Sequence, residues 1–246
     1  MTASPLWRAS AAISDLEILS AGDYHRAMCG KFTQRVDWRD ANAFSHPAPV
    51  AISPSLTVST PMRFANVLRL DAAGAREMVP MRWGFPEAGA PNLARPKHMH
   101  ARAETIDTRP TFASAFRNGR GILMVHTFNE GEELPSGKTK QWVITPTNDE
   151  PIAIAVIFED WINDAERLTV FVQVTTPAND LIAPVTDRMP AILPRESWPL
   201  WLGETEASLE DVKATLRTFD DDGVWTIAPQ EAPPKGGGSK NQPDLF

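Results

Sequence analysis

Apolar residues along this 246-residue chain gather in short runs bounded by Pro, Gly, Asn and Asp, not in long stripes of helical period. Six runs predict strands: NVLRL (66–70), REMVPMRW (76–83), GILMVHTF (121–128), KQWVITP (140–146), IAIAVIF (152–158) and LTVFVQVTT (168–176). Most are rich in Val, Ile or aromatic side chains, which fit a pleated and half-buried surface. RPTFASAFRNG (109–119) has apolar residues at helical spacing and stops on glycine, which predicts a helix. Shorter helices are expected in ISDLEIL (13–19), TPANDLIAPV (176–185), PRESWPLWLG (194–203) and SLEDVKATLRTF (208–219). The 22 prolines imply many loops. A strand-heavy order with inserted helices predicts one α+β domain better than it predicts alternating βαβ units.

Outside these runs the pattern weakens. Residues 1–28 are expected to be an N-terminal extension, 29–229 the folded domain, and 230–246 a flexible tail. The tail, QEAPPKGGGSKNQPDLF, is dominated by residues that build no core. Neither a membrane span nor a secretory signal is evident, and a lone cysteine makes no intramolecular disulfide, so a cytoplasmic location is expected.

Charge alters the picture locally. The net charge of −7 argues against indiscriminate nucleic-acid binding. Yet positions 31–140 hold fifteen Lys and Arg against ten Asp and Glu, whereas positions 203–246 hold four against nine. An acidic chain with a basic middle can hold phosphates in a local groove, although such residues are also common on a solvated surface.

The single cysteine, Cys29, stands in HRAMCGKF. Lone cysteines usually serve as small buried residues. Here Met28 precedes it, so a start at Met28, or removal of residues 1–28, would make Cys29 the first residue. A terminal cysteine carries an α-amine and a thiol on adjacent carbons. The amine has a reference pKa near ~7.7 and is partly unprotonated at neutral pH. Such a pair suits an aldehyde: the amine forms an imine and the thiol closes a five-membered thiazolidine. No metal or cofactor is needed for this.

Five blocks in order, MCGKF (28–32), MRWGFP (81–86), ARAET (101–105), FASAFRNGRGILMVHTFNEG (112–131) and APVTDRMPAILP (183–194), resemble the SOS response-associated peptidase family of abasic-site-processing proteins. The resemblance runs from about Met28 to Leu202. It implies a single compact α+β domain around a barrel-like mixed sheet with short helices, and a basic groove for single-stranded DNA. It also implies covalent capture of the ring-opened aldehyde of abasic sites as a thiazolidine, and self-removal of the residues before the cysteine.

Carried onto this chain, the resemblance makes Cys29 the nucleophile and Glu130, in TFNEG, the acid/base that moves protons as the imine forms. Arg102 and Arg188 match arginines of the DNA groove. Lys31 keeps the charge of a third position usually held by arginine but loses its forked geometry. Trp83 and Phe85 match an apolar wall against unstacked bases, or are core side chains.

Two positions depart from the family: His100 replaces the usual asparagine before the ARAET block, and Thr186 replaces the usual histidine before DRMP. His100 could bond the lesion oxygen or supply the missing imidazole, whereas Thr186 offers only a hydroxyl. His98 and His100 alternate along a predicted strand and so share a face, but no third metal ligand stands out. His126 reads as a core histidine, and Glu132 and Glu133 as part of a solvated turn.

The terminal QPDLF resembles the pentapeptide by which bacterial repair proteins bind the DNA sliding clamp, through Gln242, Asp244, Leu245 and Phe246. The competing functions are a non-reactive damaged-DNA binding module recruited to that clamp, and a thiol peptidase. No adjacent Cys-His-Asn pattern supports the latter.

Overall fold

The computed structural model describes residues 30–34 and 58–231, apart from positions 88, 94–95, 149 and 164–166. The chain runs through β1 (Lys31–Thr33), β2 (Phe64–Leu70), β3 (Arg76–Trp83) and β4 (His100–Arg102) to helix α1 (Pro110–Asn118). Next come β5 (Arg120–Val125), β6 (Thr127–Glu133), β7 (Thr139–Pro146), β8 (Ile152–Ile162) and β9 (Arg167–Pro177). The described chain closes with β10 (Arg188–Pro190), α2 (Trp198–Leu202), α3 (Leu209–Ala214) and β11 (Trp225–Pro229). The expected extension, and the expected tail from position 232 onward, lie outside the described residues.

Five strands pair in the order β9-β3-β2-β5-β8, and β8 pairs back onto β9, so the sheet closes into a barrel. Every neighbour in it is antiparallel except β3 and β9, which run parallel at Arg82↔Val170 and Trp83↔Phe171. The fold is therefore α+β around a mixed barrel, as the family resemblance implies. β4 and β10 extend the pairing along β9, and a separate sheet has the order β1-β6-β7-β11.

The barrel strands are apolar on both faces because both are covered. One face meets the helices, where Leu68, Ile122, Ala155 and Val172 cluster with Phe112, Phe116, Trp201 and Val212. The other meets the four-stranded sheet, where Val67, Trp83, Leu123, Val156 and Phe171 cluster with Phe32, Phe128, Ile144 and Trp225. Helix α1 forms where its sequence predicts one: Pro110 occupies the first turn, Phe112, Ala113, Ala115 and Phe116 face inward, and the Gly119 amide closes the end on the Ala115 carbonyl.

Two predicted elements differ. GILMVHTF divides at His126, whose amide donates to the Thr33 carbonyl at 2.9 Å; there the chain leaves the barrel and enters the smaller sheet as β6. β6 then runs on to Glu133, so Glu132 and Glu133 belong to a strand and not to a turn, and Glu132 accepts from the Trp142 indole at 2.9 Å. TPANDLIAPV makes turns instead of a helix. The Asn179 side chain accepts the Ile182 amide at 3.1 Å, and Pro184 has no amide with which to continue.

Candidate active site

Glu130 lies on β6 and is 1% exposed. Residues alternate across a strand, so Glu130 shares a face with Phe128, which packs into the layer between sheet and barrel. β1 pairs antiparallel with β6 at Lys31↔Asn129, Phe32↔Phe128 and Thr33↔Thr127. Carried one residue further, this register sets Gly30 across from Glu130. Cys29 lies outside the described residues but is bonded to Gly30. Lys31, half-buried, begins β1.

A three-residue strand needs outside support, and Gln34 provides it. Its buried amide donates to the carbonyls of Asn66 and Met124 at 3.0 Å each and accepts the Asn66 amide at 3.2 Å. Phe32 adds a two-way backbone bridge to Ser59. β1 is thus tied to β6, to the barrel strands β2 and β5, and to the segment before β2.

On the barrel side, His100 is half-buried at the start of β4, its ring edge-on to Trp83 at 5.9 Å between centroids. Trp83 stacks with Phe171 at 6.2 Å, leans on Phe32 at 5.2 Å, and donates its indole N–H to the Met99 carbonyl at 3.0 Å. Trp83 and Phe85 are 0% and 1% exposed, so of the two readings left open for them burial fits the core one. Between them Gly84 has φ +118°, and a Cβ there would stand 2.4 Å from Pro96, which is why the motif carries glycine.

His98 and His100 do not share surroundings as their spacing predicts. His98 lies against Phe112 of the helix-facing cluster at 5.4 Å, and β4 begins only at His100. Burial, with Lys97 and Arg109 nearby, pushes the His98 imidazole below its ordinary value. Among the described residues no group of three His, Cys, Asp or Glu could hold a metal ion. His126 is half-buried at the β5–β6 junction.

Arg102 is exposed and available to a phosphate. Arg188 is not: it is 8% exposed, and its guanidinium donates to both Glu104 oxygens, at 2.5 and 2.9 Å, and to the Thr175 carbonyl at 2.7 Å. The guanidinium expected in the DNA groove is thus engaged within the protein by Glu104 and Thr175. The ARAET and DRMP blocks are joined by a forked ion pair, and Arg188 holds the Glu104 carboxyl below the usual carboxylate range. Thr186 is half-buried at the last turn before β10, its amide on the Ile182 carbonyl. Gln242, Asp244, Leu245 and Phe246 lie outside the described residues. Glu104, the partner of Arg188, stands in ARAET, and Gln173 is the one amide in the run LTVFVQVTT.

The family model for SOS response associated peptidase (SRAP) matches residues 28–229. The chain belongs to the SRAP family. Among curated proteins similar to it, abasic site processing protein YoqW of Bacillus subtilis is 25% identical over 201 residues, covering 79% of this chain and 89% of that protein. Abasic site processing protein YoaM of the same organism is 26% identical over 204 residues, covering 79% and 88%. Two solved structures share this SRAP fold. A Bordetella bronchiseptica protein has TM-score 0.66 at 22% identity, covering 83% of this chain and 100% of its own, and a Bacteroides thetaiotaomicron protein has TM-score 0.68 at 19% identity, covering 82% and 92%. Among the described residues of this SRAP chain no helix is long and apolar enough to cross a membrane.

Proposed function

We propose that this protein processes abasic sites in DNA, and that it does so by capturing the ring-opened sugar of single-stranded DNA on Cys29. Similarity to Bacillus proteins named for abasic site processing supports the substrate class. The observation that carries the mechanism is the β1–β6 register: Gly30, to which Cys29 is bonded, comes opposite the buried Glu130.

With residues 1–28 absent, the α-amine of Cys29 adds to the aldehyde carbon to give a carbinolamine. Glu130 donates a proton to the departing hydroxyl, water leaves, and the imine forms. The thiol then adds to the imine carbon and its proton passes to the nitrogen, which completes the thiazolidine. Arg102, exposed at the end of β4, holds a backbone phosphate. The same carboxylate could assist self-removal of the leader, since that cleavage frees the amine the capture requires. QPDLF, on its Gly-Ser-Lys tether, would bring the domain to the sliding clamp.

The test is a denaturing gel. Protein beginning at Cys29, incubated with an abasic single-stranded oligonucleotide, gives a shifted band that survives denaturation. Cys29→Ala removes the band, and Glu130→Gln slows its appearance by about 100-fold. A wild-type protein that binds the oligonucleotide but yields no surviving band would favour the non-reactive binding module, for which the loss of the titratable family histidine at Thr186 is the supporting feature.

A further inference from the structure

Strand β9 is buried and apolar through Val170, Phe171, Val172 and Val174, and Gln173 interrupts it. Gln173 is 0% exposed, and neither its Nε2 nor its Oε1 finds a hydrogen-bond partner among the described residues. The contrast with Gln34 is sharp, since that buried amide uses both ends. A buried amide with nothing to bond is costly, so one that persists calls for a partner that arrives later.

Its position says where that partner comes from. Alternation along β9 puts Gln173 on the face of Phe171 and Thr175, turned toward the sheet that carries Glu130 and away from the helices. Its register partner on β4 is His100, about 4.8 Å away across paired strands. His100 is half-buried, so the register neighbour of the Gln173 amide is partly open to solvent. Two positions further along β9, Thr175 binds Arg188. Gln173 therefore adjoins His100, which the family resemblance sets at the lesion.

We propose that Gln173 is a specificity-determining residue of the lesion site, where its amide receives a sugar hydroxyl that donates to Oε1 and accepts from Nε2. This rests on the abasic-site reading above. The hydroxyl that fits is the one at C4′ created by ring opening. As the C1′–O4′ bond breaks, C1′ becomes the aldehyde and the proton of its hydroxyl ends on O4′. An intact nucleotide has no such group, so the amide rewards only the opened lesion.

The experiment uses the protein from position 29 onward, as in the gel above, carrying Cys29→Ala so that binding stays reversible, with and without Gln173→Leu. Each is titrated with a single-stranded oligonucleotide bearing one abasic site, or an intact thymidine in its place, and thermal midpoints are measured alongside. The expected result is a preference for the abasic strand that falls roughly tenfold in the leucine variant. Affinity for the intact strand stays unchanged, and the midpoint is equal or higher because an unbonded buried amide has been removed. An undiminished preference overturns the proposal. So does a lowered midpoint, which would make Gln173 a structural residue. If the parent chain itself shows no preference for the abasic strand, the failure belongs to the underlying reading of the substrate.

Discussion

At the scale of single residues, two arginines from equally recognisable motif blocks have opposite roles. Arg102 is exposed, and Arg188 is enclosed by Glu104 and Thr175. Arg102→Ala should weaken binding to single-stranded DNA and lower the slope of log affinity against log salt by about 0.7, the share of one phosphate contact. Arg188→Lys should leave that slope alone and lower stability in urea by about 2 kcal/mol, because lysine cannot serve the Glu104 fork and the Thr175 carbonyl together. The partner adds a pH signature. The Glu104 carboxyl is depressed in the folded protein, first by its bond to Arg188, so its stabilisation is complete above the ordinary carboxylate range and disappears as pH falls through the lower folded value. Glu104→Gln should therefore flatten the acid arm of a stability profile below about pH 4.5. The motif blocks themselves were legible in the sequence. The burial of Arg188, Trp83 and Phe85 was not, because a motif records that a residue is needed and is silent on whether it faces a ligand or the core.

At the scale of elements, long apolar runs were legible and short strands were not. REMVPMRW became β3 with the same limits, and the helix read from RPTFASAFRNG is α1. By contrast β1, β4 and β10 are three residues each, too short to show a period, and they exist because a longer strand offers them an edge. β1 matters most, since it carries the chain past Glu130. Gln34→Ala removes three buried hydrogen bonds that fix its far end. Amide exchange at Lys31–Thr33 should quicken, and stability should fall by about 2–3 kcal/mol by chemical denaturation. Adduct formation should slow while affinity for undamaged single strands holds. Retention of wild-type exchange rates at β1 would show that the Ser59 bridge and β6 suffice.

At the scale of the molecule, each barrel strand contributes alternate residues to two apolar clusters, so neither cluster can dissolve while the other stands. The two clusters should melt in one cooperative step, with calorimetric and van't Hoff enthalpies in agreement. The closure of the barrel was not readable from periodicity. It depends on Arg82 and Trp83 meeting Val170 and Phe171 in parallel, a contact between distant segments that leaves no local trace. Resemblance supplied that part of the picture, and pattern alone would have stopped at a strand-rich α+β domain.

The placement of β1 has a mechanical consequence. It ends the four-stranded sheet beside β6, with one bridge from Phe32 to Ser59 on its other side, and in the proposed reaction the DNA would hang from the residue just ahead of it. A motor enzyme hauling on the captured strand would load this three-residue ribbon before any strand of the barrel. The three Gln34 hydrogen bonds and the Ser59 bridge are then the contacts that bear the pull.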